Sequence, residues 1–193
     1  MRLQNVLLPA VNLNNKKSVI CIGKLQDSVF FAYGSANELV IMDRFFKKLQ
    51  TIKISEKSND EIVCVKCSEN DGKIIVTYNN VLQLFCPDNN ISILLPDPAC
   101  ETVFSLAHNF TITLEHEISQ VAWNYSGFKF LVSHDCYLSL FCINNVNSDV
   151  SSYTLKCCLR NSSPCHFIEF TTDEMFFATA NRNESYVKVW YSM

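Results

Sequence analysis

Three short runs of the sequence contain residue types that catalyse reactions or bind metals. Cys64-Val-Lys-Cys67 has the spacing of a zinc knuckle or a redox dithiol. Ser133-His134-Asp135 contains the residue types of a hydrolase triad, and Cys165-His166 contains a thiol nucleophile beside a base. Each of these chemistries requires side chains that converge on one point. The local structure of each run therefore decides whether the chemistry is possible.

The runs lie in segments where apolar and polar residues alternate, a pattern typical of half-buried strands. On a strand, residues three apart point to opposite faces, so Cys64 and Cys67 cannot hold one metal ion, and no second CxxC or HxxxH follows. Three consecutive residues cannot converge as a triad, and adjacent residues such as Cys157-Cys158 cannot face each other. We expect no catalytic residue, no metal site and no cofactor. A cysteine-dependent enzyme is the third functional hypothesis, and it requires a thiol of lowered pKa.

Composition limits the classes of function further. The chain has 193 residues, 48% of them hydrophobic, and a net charge of −3, which gives no general attraction to nucleic acid. Its four glycines are dispersed, which excludes the common Gly-rich phosphate loops. Most of the ten cysteines lie in apolar runs, as expected for buried thiols in a reducing compartment. The sequence has neither a secretory signal nor an apolar run of about 18 residues, so we expect a cytoplasmic chain without direct membrane insertion.

The alternating runs recur in groups of three or four strands separated by tight turns. The clearest group is residues 118–144, where strands are expected before residue 124, over 128–132 and over 137–143, with turns at 124–127 and 133–135. Self-similar units of about 40 to 55 residues made of antiparallel strands indicate a β-propeller. The predicted fold is all-β: residues 1–193 form about four blades of a larger, incomplete propeller, approximately at 18–54, 59–95, 103–144 and 152–193.

The units also carry a degenerate WD-repeat signature. A blade of this type has a small hydroxyl residue, a turn Asp six residues before a strand-end Trp, and an Asp after the Trp, which together form a hydrogen-bond network. The positions that keep part of this pattern are Ser133, Asp135 and Phe141 in one unit, Thr77, Asn79 and Phe85 in another, Thr179, Glu184 and Trp190 in the last, and Asp43 in the first. Phe141 has no N–H, so its network is expected to stop short.

Four segments resemble the amino-terminal end of the DmX-like proteins, also called rabconnectins. They are QNVLLPAVN at 4–12, FFAYGSANELVIMDRFFKKLQTI at 30–52, VKCSENDGKIIVTYNNVLQLFCP at 65–87 and HFIEFTTDEMFFATANRNESYVKVWY at 166–191. The resemblance implies a non-enzymatic scaffold of the RAVE type, which binds the soluble sector of the V-ATPase and other members of its assembly complex. It also implies a role in acidification, with peripheral attachment to endosomal or vesicle membranes through partners. The alternative is a generic WD-repeat adaptor in vesicle trafficking.

The family's proteins continue far beyond these segments, and WD propellers more often have about seven blades. We therefore expect the sequence to be part of a longer propeller or a short form of one. A half-propeller would leave the face and the sheet edges of its last blade exposed.

Overall fold

Alternating apolar side chains and short turns pair successive segments into antiparallel sheets. The computed structural model describes residues 18–25, 28–88, 104–144, 152–182 and 184–192. Within these ranges the regular structure is fifteen β-strands in four sheets, which confirms the predicted all-β fold. No helix long and apolar enough to span a bilayer occurs in this part of the chain. The 4–12 segment and the predicted boundary at residue 95 lie outside the described residues.

Each sheet is built from consecutive strands. Sheet 1 contains β1 (Ile20–Leu25), β2 (Ser28–Ser35), β3 (Glu38–Asp43) and β4 (Lys48–Lys53). Sheet 2 contains β5 (Cys64–Cys67), β6 (Ile74–Tyr78), β7 (Val81–Pro87) and β8 (Leu106–Thr113). Sheet 3 contains β9 (Ile118–Trp123), β10 (Lys129–His134), β11 (Tyr137–Asn144) and β12 (Ser152–Arg160). Sheet 4 contains β13 (Phe167–Phe170), β14 (Phe176–Ala180) and β15 (Lys188–Tyr191).

The hydrogen-bonded sheets group two strands differently from the predicted sequence units. β8 falls in the unit 103–144 but pairs with β7, where Leu84 lies opposite Phe110. β12 falls in the unit 152–193 but pairs with β11, where Leu140 lies opposite Cys157. β8 and β12 each form the outer strand of the preceding sheet. The boundaries of the sequence repeat are therefore offset by one strand from the boundaries of the sheets.

Apolar clusters fill the spaces between successive sheets. Ile74 and Val76 pack toward sheet 1, whereas Ile75 between them packs toward sheet 3. Phe130 and Val132 likewise face sheet 2, and neighbouring residues of β10 face sheet 4. Because strand side chains alternate between faces, one strand can supply both of the cores that flank its sheet. The inner strands β1, β5, β9 and β13 contact one another in that order.

The turns that join the second and third strands of sheets 1 to 3 share an unusual backbone conformation. Each turn has two residues, and the first of them has a left-handed φ: 48° at Ala36, 47° at Asn79 and 47° at Asp135. This conformation allows a two-residue reversal, so Ser133 and His134 continue β10. The predicted turn at 133–135 is therefore wrong for its first two residues.

A β-bulge recurs at the outer strand pair of the same three sheets. The register shifts between Ile41 and Met42, between Leu84 and Phe85, and between Leu140 and Phe141. Met42, Phe85 and Phe141 each lie six residues after the left-handed turn residue. The bulge therefore marks the position at which the repeat signature predicts a strand-end aromatic residue.

Ala36→Gly is expected to raise the free energy of unfolding by about 0.5 kcal/mol. A left-handed φ costs an L-residue about 1–2 kcal/mol, and glycine removes this cost while adding about 0.4–1 kcal/mol of unfolded-chain entropy. The same substitution at the buried Ala32 of β2 is the matched control, and it is expected to destabilise the chain because it leaves a cavity. Urea unfolding of both variants measures the effect, and equal destabilisation by the two would contradict the prediction.

Candidate protein-binding surface

A groove runs along the inner strands of sheets 2, 3 and 4. It consists of two adjoining depressions of about 240 and 310 Å³, which share Lys66, Ile168 and Glu169 in their walls. Lys66 comes from β5 and Glu169 from β13, and β9 lies between these strands. The groove therefore spans three blades, and a ligand in it would contact all of them.

The groove has a mixed charge and a rigid wall. Lys66 and Arg182 contribute positive charge, and Glu169 contributes negative charge. None of these three forms an ion pair with another described residue. Trp123 fixes part of the wall, because its indole N–H donates to the Lys66 carbonyl oxygen at 3.1 Å. Gln120 fixes another part, because its side-chain amide donates to the Ser18 hydroxyl at 3.0 Å. Charged side chains without ion-pair partners, held in a wall fixed by hydrogen bonds, are suited to binding an extended polypeptide that carries both acidic and basic groups.

Sequence reasoning missed this groove. Lys66 and Glu169 stand in the middle of otherwise apolar strands, and that interruption is the only signal the sequence gives. Its meaning depends on which strand of each sheet lies innermost, which is a property of the assembled fold.

Hydrogen bonds link the first hairpin turns of neighbouring sheets. Asn70 donates through its side-chain amide to the Tyr125 carbonyl oxygen at 2.9 Å, joining sheets 2 and 3. Glu174 accepts hydrogen bonds from Asn124 at 2.7 Å and from Ser126 at 3.1 Å, joining sheets 3 and 4. Burial alone would raise the pKa of the Glu174 carboxyl, but these hydrogen bonds hold it below its usual value. The turns thus fix the angle between blades at one end of the groove.

The predicted hydroxyl and aromatic positions of the middle units do not meet. Ser133 accepts a hydrogen bond from the Ser119 hydroxyl at 3.0 Å on the side that faces sheet 4, whereas Phe141 stacks on Phe130 toward sheet 2, with ring centroids 5.2 Å apart. Thr77, whose hydroxyl is buried without a described partner, is similarly separated from Phe85. The hydroxyl and the aromatic ring lie on opposite faces of the sheet, which residue spacing alone does not reveal.

The predicted turn residues differ in the contacts that they make. Asn79 donates through its side-chain amide to Asp60 at 2.9 Å, which ties the turn to the loop before β5. Asp135 adopts the left-handed φ of its turn. The buried side-chain hydrogen bond in this hairpin does not involve Asp135 but joins His134 Nε2 to the Ser139 hydroxyl at 2.8 Å. Asp43 accepts from the backbone N–H groups of Phe45 and Lys47 at 2.8 and 2.9 Å and so closes the turn between β3 and β4.

In sheet 4, two of the three residues predicted for a network, Thr179 and Trp190, bond to each other, whereas Glu184 bonds elsewhere. The Trp190 indole N–H donates to the Thr179 hydroxyl at 2.9 Å. Glu184 accepts from the hydroxyls of Ser162 and Ser163 at 2.5 and 3.1 Å and pairs with Lys188 at 3.3 Å. The loop before β13 is thereby fixed to the turn before β15.

The cysteines are less buried than the sequence predicted. Cys64 packs between sheets 2 and 3, and Cys67 packs between sheets 1 and 2, so the CxxC thiols point apart as expected. Of the nine described cysteines, Cys64 and Cys165 are buried, and Cys158 on the outer strand β12 is exposed. No cluster of three metal-ligating side chains occurs among the residues that the structure describes.

The bond between Trp190 and Thr179 is expected to contribute about 1 kcal/mol to stability. Trp190→Phe and Thr179→Val should each destabilise the chain, and the double variant should lose about 1 kcal/mol less than their sum. Urea unfolding of the four proteins measures this coupling. Trp190→Phe combined with Thr111→Val, on the distant strand β8, is the control and should be additive, and zero coupling in the test pair would contradict the prediction.

Stability is expected to depend on Glu184 between about pH 4.3 and pH 2. The hydrogen bond from Ser162 is the main reason that the pKa of the Glu184 carboxyl is lowered to about 2. Partial burial opposes this shift, and hydrogen bonds from Asn181, Lys188 and Ser163 add to it. A depressed pKa stabilises the fold fully above the unfolded-state pKa of about 4.3, and this stabilisation is lost as the pH falls toward the folded-state value.

Glu184→Gln should therefore lower the urea midpoint at pH 7, and its difference from the unmodified chain should shrink as the pH falls through this window. Glu117→Gln, at an exposed carboxylate, is the matched control and should change the midpoint little. A difference between Glu184→Gln and the unmodified chain that stays constant from pH 7 to pH 2 would refute the role of Glu184.

The sequence is similar to known proteins along its whole length, although no family model matches it. It is 30% identical over 213 residues to DmX-like protein 1 of Homo sapiens and 28% identical over 203 residues to DmX-like protein 1 of Mus musculus. These alignments cover 100% of this chain but only 7% and 6% of the relatives. The chain thus spans less than a tenth of the length of the curated relatives that it matches.

Solved structures with a similar fold are β-propellers. The β-propeller domain of Cps50 (Swd1) from Myceliophteria thermophila has a TM-score of 0.65 at 14% identity, over 85% of this chain and 50% of that one. Sqt1 from Chaetomium thermophilum, bound to the N-terminus of the ribosomal protein L10, has a TM-score of 0.63 at 11% identity, over 93% of this chain and 47% of that one. The resemblance to the DmX-like proteins is confirmed over the full sequence, and the similar solved structures show that the chain has a β-propeller fold.

Proposed function

We propose that the chain is a non-enzymatic scaffold in the assembly of the V-ATPase and that its groove binds a segment of the pump's soluble sector. The observation that carries this proposal is the similarity to DmX-like protein 1 over the whole chain. Through such partners the chain would act at endosomal or vesicle membranes and support their acidification. No part of this role requires a cofactor or nucleic acid.

The groove supports the proposal through its chemistry. Lys66 and Glu169 face one space from two different sheets, and neither is neutralised by a described ion pair. A bound segment with complementary charges would pair with both, and such pairs determine register and partner choice. Sqt1, which shares the fold, binds the N-terminus of another protein, which also favours an extended segment as the ligand.

The same observation on Sqt1 favours the second candidate, a generic adaptor in vesicle trafficking. Both hypotheses use the groove, but they differ in the partner. The adaptor would bind a trafficking protein and leave the soluble sector of the pump unbound.

Charge reversal in the groove is expected to weaken binding to the purified soluble sector of the V-ATPase at least tenfold. Lys66→Glu and Glu169→Lys each replace an attractive contact with a repulsive one in the same groove. Lys57→Glu, on an exposed loop outside the groove, is the matched control and should bind like the unmodified chain. Biolayer interferometry measures the affinities, and circular dichroism verifies that each variant is folded.

The outcomes separate the parts of the proposal. Failure of the unmodified chain to bind the soluble sector would overturn the assembly role. Binding that survives both groove substitutions would retain the role but overturn the groove as its site.

A further inference from the structure

Two thiols from different sheets meet between sheets 1 and 2. Cys21 lies on β1 and Cys67 on β5, and their sulfur atoms are 2.7 Å apart. Both thiols are free and half-buried, and both pack against the apolar cluster that fills this interface. Cys67 belongs to the CxxC run, but its partner in space is 46 positions away in the sequence rather than three.

The backbone holds the two thiols opposite each other. Ser18 and Cys64 form a parallel bridge, and the Val65 N–H donates to the Ser18 carbonyl oxygen at 2.7 Å. Cys21 and Cys67 each lie three residues further along, in the same direction, so parallel pairing brings them side by side. A disulfide bond is about 2.05 Å long, so the sulfur atoms need to approach by roughly 0.7 Å.

We propose that Cys21 and Cys67 form a thiol–disulfide exchange site that covalently links sheet 1 to sheet 2 when the chain meets a low-molecular-weight disulfide such as glutathione disulfide. The Cys21 thiolate attacks one sulfur of the oxidant and releases one glutathione thiolate. The Cys67 thiolate then attacks the Cys21 sulfur of this mixed disulfide, which forms the Cys21–Cys67 bond and releases the second glutathione thiolate. The two protons lost by the protein thiols protonate the two glutathione thiolates, and two electrons reduce the oxidant.

The surroundings assign the order of attack. Burial, followed by the hydrogen bond and the charge of neighbouring Cys21, raises the pKa of Cys67 well above its usual value. Since the thiolate is the nucleophile, Cys21 attacks first. Once Cys21 is held in a mixed disulfide it carries no charge, which removes one of the causes that raise the pKa of Cys67. Cys21 is only half-buried, and its neighbours Ile20 and Ile22 on β1 are exposed, so its thiol lies close to the surface from which a small oxidant would approach.

The other thiol of the CxxC run does not compete for Cys67. Cys64 faces the opposite side of β5, between sheets 2 and 3. Burial raises the pKa of Cys64 to about 12, which keeps it protonated. The exchange site therefore pairs two inner strands of different blades rather than two residues of one strand.

The test is peptide mapping of the purified chain after incubation in glutathione buffers of increasing oxidised fraction. The samples are quenched with acid, alkylated with N-ethylmaleimide, digested and analysed by mass spectrometry. We expect a linked peptide containing Cys21 and Cys67, the loss of alkylation at both, and reversal by dithiothreitol. The melting temperature should rise by roughly 10 °C, because the bond closes a loop of intermediate length.

Cysteine-to-serine variants test whether the linked pair is Cys21 and Cys67. Cys21→Ser and Cys67→Ser should each abolish the linked peptide and the thermal shift, and Cys67→Ser should accumulate glutathione on Cys21. Cys142→Ser, which removes a half-buried thiol on β11, is the matched control and should retain both effects. Stable glutathione adducts on the unmodified chain, or a different cysteine pair as the main linked product, would overturn the proposal. Both of these outcomes are measured on the unmodified chain, so the proposal can be tested even if a variant fails to fold.

Discussion

Each sheet of this protein is apolar on both faces, and the fold depends on covering both of them. Strand residues alternate between faces, so β6 places Ile74 and Val76 in one core and Ile75 in another. A side chain such as Phe130, which is fully buried, contributes about 1.5–3 kcal/mol only while the neighbouring sheet is present. No sheet is therefore stable alone, and the blades stabilise one another as a stack.

Sheet 4 shows the same constraint on the face that points away from sheet 3. Phe167 and Val189 on that face are 63% and 68% exposed. Phe167 lies on the face of its strand opposite Ile168, which packs into the core with sheet 3. This outer face has the composition of an interior blade interface, and β15 is an edge strand without a fourth strand beyond it among the described residues.

Much of the architecture could be predicted from the sequence, because alternation is a local property. The strands expected over 128–132 and 137–143 occur in the structure as β10 and β11, with edges shifted by at most two residues. The candidate site was less accessible. Counting from Phe141 back to Ser133 gives the spacing of a hydrogen-bond network, but it does not show that the two side chains lie on opposite faces. The contact between Cys21 and Cys67 and the groove around Lys66 both depend on which strands lie innermost, and no local pattern reports that.

The left-handed turn at Ala36, Asn79 and Asp135 has a consequence for how the repeat can be recognised. One backbone shape occurs at three sites that carry Ala, Asn and Asp, so the turn does not depend on the turn carboxylate of the repeat signature. A turn position that does not require one residue type tolerates substitution while the hairpin persists. Recognition by consensus letters then fails, as it does for the family models, while comparison of shape still succeeds at 11–14% identity.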